Sequence, residues 1–119
     1  MPVRSLDSSI LRWPDRDAVD RAVRVFGVEV AGANDCVVRV GYFGSYAKGN
    51  WGVGSDVDLV LILERSEEPF ERRALAYDLG RLPVPADLFV YTVAEWDRMS
   101  EEGGLPKAAR HEVVWVLER

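Results

Sequence analysis

Val19, Ala22, Val23, Phe26 and Val30 recur at the three- and four-residue spacing of a single helix face, and Pro14-Asp15 just ahead of them is a helix start. Gly32, Asn34 and Asp35 break that pattern. "CVVRVGYF", Cys36 to Phe43, is β-branched and aromatic, as a strand would be, and it runs straight into Gly44-Ser45 and a helical turn. "NWGVGS", Asn50 to Ser55, is a glycine-rich loop. After it "DVDLVLILE" carries an unbroken apolar run that predicts a central strand with little exposed face. Ser66, Glu67 and Glu68 favour a helix N-terminus, and Phe70, Ala74, Tyr77 with Leu75 and Leu79 predict a helix ended by Gly80 and Pro83. "ADLFVYT", Ala86 to Thr92, reads as a third strand. Thr92-x-x-Glu95 is a capping box opening a helix towards Ser100, which Gly103-Gly104 and Pro106 break. A short helical piece at Ala108-Ala109-Arg110 and a last strand, Glu112 to Glu118, complete the chain.

This order predicts one α/β (α+β) domain over residues 1–119, a small mixed β-sheet with helices packed mainly on one face. No repeat, linker or low-complexity segment interrupts it.

Composition narrows the class. The 119 residues are 48% hydrophobic, enough for one core. A net charge of −5 makes no strong case for nucleic-acid binding through basic side chains, while leaving room for a metal-bridged nucleotide. The longest apolar run, Leu59 to Leu63, is far short of a membrane span, and Met1 to Trp13 lacks the apolar segment of a signal peptide. A soluble, cytoplasmic protein is expected. Cys36 has no cysteine partner and reads as a small core residue, and His111, the single histidine, as a surface residue. Trp51 reads as an anchor for its loop, and Arg72-Arg73 as a solvated pair on a charged helix face.

The chemistry gathers at two strand starts. Side chains two apart on a strand share a face, so Asp56 and Asp58 project together, and Asp87 holds a like position on the third strand. Carboxylates held close raise one another's pKa unless a cation sits between them, and oxygen-only ligands favour Mg²⁺ or Mn²⁺. The spacing fits a two-metal reaction centre. Gly44 allows close backbone approach, the amides and hydroxyl that follow, Ser45 among them, can hold phosphate oxygens, and Lys48 adds a positive charge one turn later. A phosphate cradle beside a metal site suggests nucleotide chemistry.

"GSYAKG", ten residues between Ser45 and Asp56, then "SDVDLVL" resembles the Gly-Ser…Asp-x-Asp signature of the DNA polymerase β-like nucleotidyltransferases. In size and motif the chain is similar to the minimal members, the MntA-type antitoxins among them. The resemblance covers Val37 to Val90 and implies the polymerase β palm-like fold. It also implies that Gly44 and Ser45 hold the triphosphate of ATP, that Asp56 and Asp58 bind the metal, and that Asp87 completes the metal site and helps activate the attacking hydroxyl. Lys48 stands where many relatives have a basic residue. The "NWGVG" loop departs from relatives that carry an arginine just before Ser-Asp. Haloacid-dehalogenase-like phosphatases also use Asp-x-Asp, but after an apolar strand rather than before one.

Three readings stay open at this stage. In the first, the chain transfers AMP from ATP to a hydroxyl on a partner protein, the acceptor being a HEPN-type helical toxin that this modification silences. It rests on size, since a chain of this length leaves no room for the helical domain with which larger relatives grip their acceptors. In the second, the same fold neutralises a toxin by contact alone. In the third, a separate substrate-binding subunit turns the domain on a small molecule. All three expect a homodimer or heteromer, because Val60, Ile62, Phe89 and Tyr91 share the strand faces of the aspartates and would extend apolar surface beyond them.

Overall fold

Asp15 caps the first helix, its Oδ1 accepting the Ala18 N–H at 2.9 Å and its carbonyl the Val19 N–H at 3.0 Å. The computed structural model describes residues 13–102 and 111–119, and the helix, α1, spans Arg16–Ala33. Its buried stripe is Val19, Val23, Phe26, Gly27 and Ala31, as the helical spacing requires. Asn34 turns the chain by accepting the Cys36 N–H on its side chain and the Val37 N–H on its carbonyl. Strand β1, Val37–Phe43, begins there.

Helix α2, Ser45–Lys48, is a single turn, and strand β2 follows at Val57–Leu63. Helix α3, Phe70–Arg73, strand β3, Ala86–Thr92, helix α4, Val93–Glu102, and strand β4, Val114–Glu118, complete the described elements. The sheet order is β3-β2-β1-β4, with β2 and β3 parallel and β1 antiparallel to both β2 and β4. This register brings the C-terminal end of β1 and the N-terminal ends of β2, β3 and β4 to one end of the sheet.

Strand β2 is covered on both faces, which is why its sequence lacks polar alternation. Val57, Leu59, Leu61 and Leu63 join the cluster that contains Val19, Val23 and Phe26 of α1. Val60 and Ile62 point the other way, against Phe43 and Trp96. The expected apolar surface beyond the aspartates is therefore corrected: Val60 and Ile62 are wholly buried, and α4 lays Trp96 over that face. The expected capping box sets α4 there, with Glu95 N–H donating to Thr92 Oγ1 at 3.2 Å and Thr92 N–H to Glu95 Oε1 at 2.8 Å.

Two further expectations change. The helix anticipated over Phe70 to Leu79 stops after one turn, continues as a 3₁₀ turn at Ala74–Ala76, and is extended by Tyr77. The Asp78 side chain accepts the Gly80 N–H at 2.8 Å, closing a local turn that competes with helix. Leu75 is consequently left 79% exposed. Arg72 is exposed as anticipated, but Arg73 is buried. Its guanidinium donates to both carboxylate oxygens of Glu95 at 2.6 and 3.1 Å and to the carbonyls of Glu68 and Val90. The anticipated helical piece at residues 108–110 lies outside the described residues.

Candidate metal and nucleotide site

The parallel register pairs Asp58 with Asp87, and the antiparallel register pairs Asp58 with Phe43. Asp56 precedes the first residue of β2 and shares the side of Asp58 by strand alternation. One carboxylate oxygen from each of Asp56, Asp58 and Asp87 lies within 4.8 Å of the other two. Asp56 and Asp87 are exposed and Asp58 is half-buried. Among the described residues, none of the ion pairs reaches any of the three.

Burial first, then the charges of Asp56 and Asp87, push the Asp58 carboxyl above the ordinary carboxylate range. A protein that needed these groups only for solubility would have no reason to crowd them at a strand register. An oxygen-only donor set with no counter-charge among the described residues fits a hard divalent cation, Mg²⁺ or Mn²⁺.

Gly44 is required on two grounds. Its φ of +79° lies in the left-handed region, and a Cβ there would collide with Oδ2 of Asp58. The Gly-Ser turn thus packs directly on the aspartate. Ser45 opens α2, and its carbonyl accepts the N–H groups of Gly49 and Asn50. The first amides of such a turn have no acceptor inside it.

The glycine-rich loop is pinned from two directions. Ser55 N–H donates to the Gly52 carbonyl and Gly52 N–H to Ser55 Oγ, while Trp13 Nε1–H donates to the Ser55 carbonyl at 3.2 Å. Tyr46 is fully buried, donates its hydroxyl to the Pro14 carbonyl, and stacks on Trp51 at 5.5 Å with 7° between planes. Trp51 is the loop anchor its sequence suggested. Cys36 is half-buried against the core, and His111 is exposed.

Lys48 is where sequence reasoning was incomplete. Its Nζ lies 3.5 Å from Oε2 of Glu112, a residue with no part in the motif. Trp13 was missed likewise, because its contact with Ser55 spans 42 positions of chain. No local signal marks either pairing.

Residues 29–111 match the family model of the nucleotidyltransferase domain. The chain belongs to this family. A protein of Sulfolobus solfataricus, known by its crystal structure and described as a candidate nucleotidyltransferase, superposes with a TM-score of 0.65 at 20% identity, over 87% of this chain and 84% of that one. At such identity the likeness shows the fold, which is the small mixed sheet expected. No curated protein matches the chain. The nucleotidyltransferase reaction moves a nucleotidyl group, and the aspartate cluster is compatible with the divalent cation and nucleoside triphosphate such a reaction uses. Among the described residues no helix is long and apolar enough to cross a membrane.

Proposed function

We propose that this nucleotidyltransferase transfers AMP from ATP to a hydroxyl on a partner protein, and that the partner is a HEPN-type toxin silenced by the modification. The observation that carries the catalytic part is the convergence of Asp56, Asp58 and Asp87 at the strand register beside Gly44. The acceptor rests on the resemblance to the minimal enzymes in size and motif together.

In this reading Asp56 and Asp58 hold the cation, and Gly44 and Ser45 bind the phosphates. When bound, Mg²⁺ supplies the charge that lets a triphosphate lie beside carboxylates. Asp87, on the neighbouring strand and exposed, orients the acceptor hydroxyl and takes its proton as the new O–P bond forms and pyrophosphate leaves. The Trp13 and Trp51 contacts keep the loop ahead of Asp56 in place, so the site is organised before substrate arrives.

Co-purification from the native host, with mass spectrometry of the partner, tests this. A nucleotide adduct on a partner hydroxyl that needs intact Asp56 and Asp58 supports it. A stable complex with no adduct under Mg-ATP would show that contact alone does the work.

A further inference from the structure

We propose that Glu112 is a positioning residue that competes with a bound triphosphate for Lys48, an inference that rests on the nucleotide site proposed above. Between Gly44 and Asp58 the sequence has one basic residue, Lys48. It closes the turn that begins at Ser45, directly after the glycine packed on Asp58. Its partner comes from far along the chain but from the same end of the sheet: β4 starts with Val114 opposite Tyr42, so Glu112 stands beside the C-terminal end of β1.

The pair has the properties of an exchangeable contact. The charged atoms are 3.5 Å apart, and the two side chains are 48% and 35% exposed. Pairs open to water to this degree hold weakly. A triphosphate bound at the Gly44-Ser45 turn carries several negative charges against the one of Glu112, so the ammonium moves to the larger charge. Until then Glu112 occupies the one cation of this segment, and each binding event must displace it. Glu112 therefore sets nucleotide affinity by competing for Lys48.

The test is calorimetry of Mg-ATP with the wild type, Glu112→Gln, Lys48→Met and the double variant. Freeing Lys48 should tighten Mg-ATP binding about twofold to fivefold in Glu112→Gln, the range set by a weak ion pair. Lys48→Met should weaken binding, and adding Glu112→Gln to it should change nothing further. Mn²⁺ without nucleotide should bind the wild type and Glu112→Gln alike. Unchanged or weaker Mg-ATP binding in Glu112→Gln would overturn the proposal. So would a gain that persists without Lys48, or an equal gain for Mn²⁺ alone, since either means that Glu112 acts through bulk charge. Absence of Mg-ATP binding in the wild type would remove the nucleotide site itself, an outcome distinct from binding that ignores Glu112.

Discussion

Two places in this domain hold charge at or below the surface, and they are built oppositely. At one, the Arg73 side chain is 8% exposed, yet its charge is paired and its N–H groups are largely answered: Glu95 takes two of them, and the Glu68 and Val90 carbonyls one each. At the other, Asp58 is half-buried between Asp56 and Asp87 with no ion-pair partner among the described residues. The first arrangement holds the segment before β3 and the start of α4 together. The second holds like charges that no cation among the described residues neutralises. Pairing within the chain marks structure, and unpaired like charge at a fixed register marks a binding site.

The largest expected effect breaks the unpaired side of this comparison. Asp56→Asn with Asp58→Asn should abolish Mg-ATP binding and transfer while leaving the melting temperature unchanged or higher, since removing like charges relieves repulsion. Calorimetry and a thermal scan check both parts. Undiminished Mg-ATP binding would mean that the site is elsewhere.

Asp87 sharpens the comparison within the cluster. It faces Asp58 across the register, and in the function proposed above it serves the acceptor rather than the nucleotide. Asp87→Asn should keep most Mg-ATP affinity and lose about 10²–10⁴-fold in transfer. Binding lost as severely as in the paired variant would make Asp87 a principal nucleotide-metal ligand.

The paired side should break in stability. Arg73→Ala leaves Glu95 without its partner and the Val90 carbonyl without a donor, which should cost about 2–4 kcal/mol in denaturant unfolding. Arg72→Ala, with an exposed guanidinium 3.8 Å from Glu68, should cost under about 0.5 kcal/mol. Near-equal costs would erase the distinction between the neighbours.

That distinction was closed to sequence reading, because both arginines sit in one charged run and what separates them is Glu95, 22 positions away. Most of the candidate site was legible for the opposite reason: Gly44, Ser45, Asp56 and Asp58 lie within one short segment, and strand alternation alone puts the two aspartates together. Asp87 could be placed because a strand start is a local signal. Strand β2 announced itself through its length of apolar residues, and α1 through its cap and spacing. Spacing favours a helix from Phe70 to Leu79, but the chain is already extended at Tyr77 and the Asp78 side chain holds a local turn in place of the last helical turn. Coverage of Val60 and Ile62 depended on where α4 folds back, which no periodicity specifies.

The smallest effect joins the two regions through pH. Arg73 above all, with the Thr92 amide and hydroxyl, holds the Glu95 carboxyl below its ordinary range, whereas burial and its neighbours hold Asp58 above. The signs are opposite. A lowered carboxyl stabilises the fold above its unfolded pKa and loses that contribution as pH falls through the folded one; a raised carboxyl opposes folding at neutral pH, and protonation relieves it. Metal-free protein titrated downward from neutrality should therefore first hold or gain melting temperature, as Asp58 takes a proton, and lose it only below the ordinary carboxylate range, as Glu95 and Asp20, which despite its burial is held low by Arg24 and Tyr42, are protonated. Saturating Mg²⁺ should remove the first phase, because the cation keeps Asp58 ionised, and the stabilisation by Mg²⁺ should itself fade as protons compete for the same oxygens. Melting curves across pH, with Mg²⁺ and with chelator, measure both. Asp58→Asn should abolish the early phase and leave the acid loss intact, and Glu95→Gln should, at a lower starting stability, leave the early phase and reduce the acid loss without removing it, since Asp20 beside Arg24 and Tyr42 is also held low; an early phase that survives Asp58→Asn would assign it to another group and detach the repulsion from the cluster.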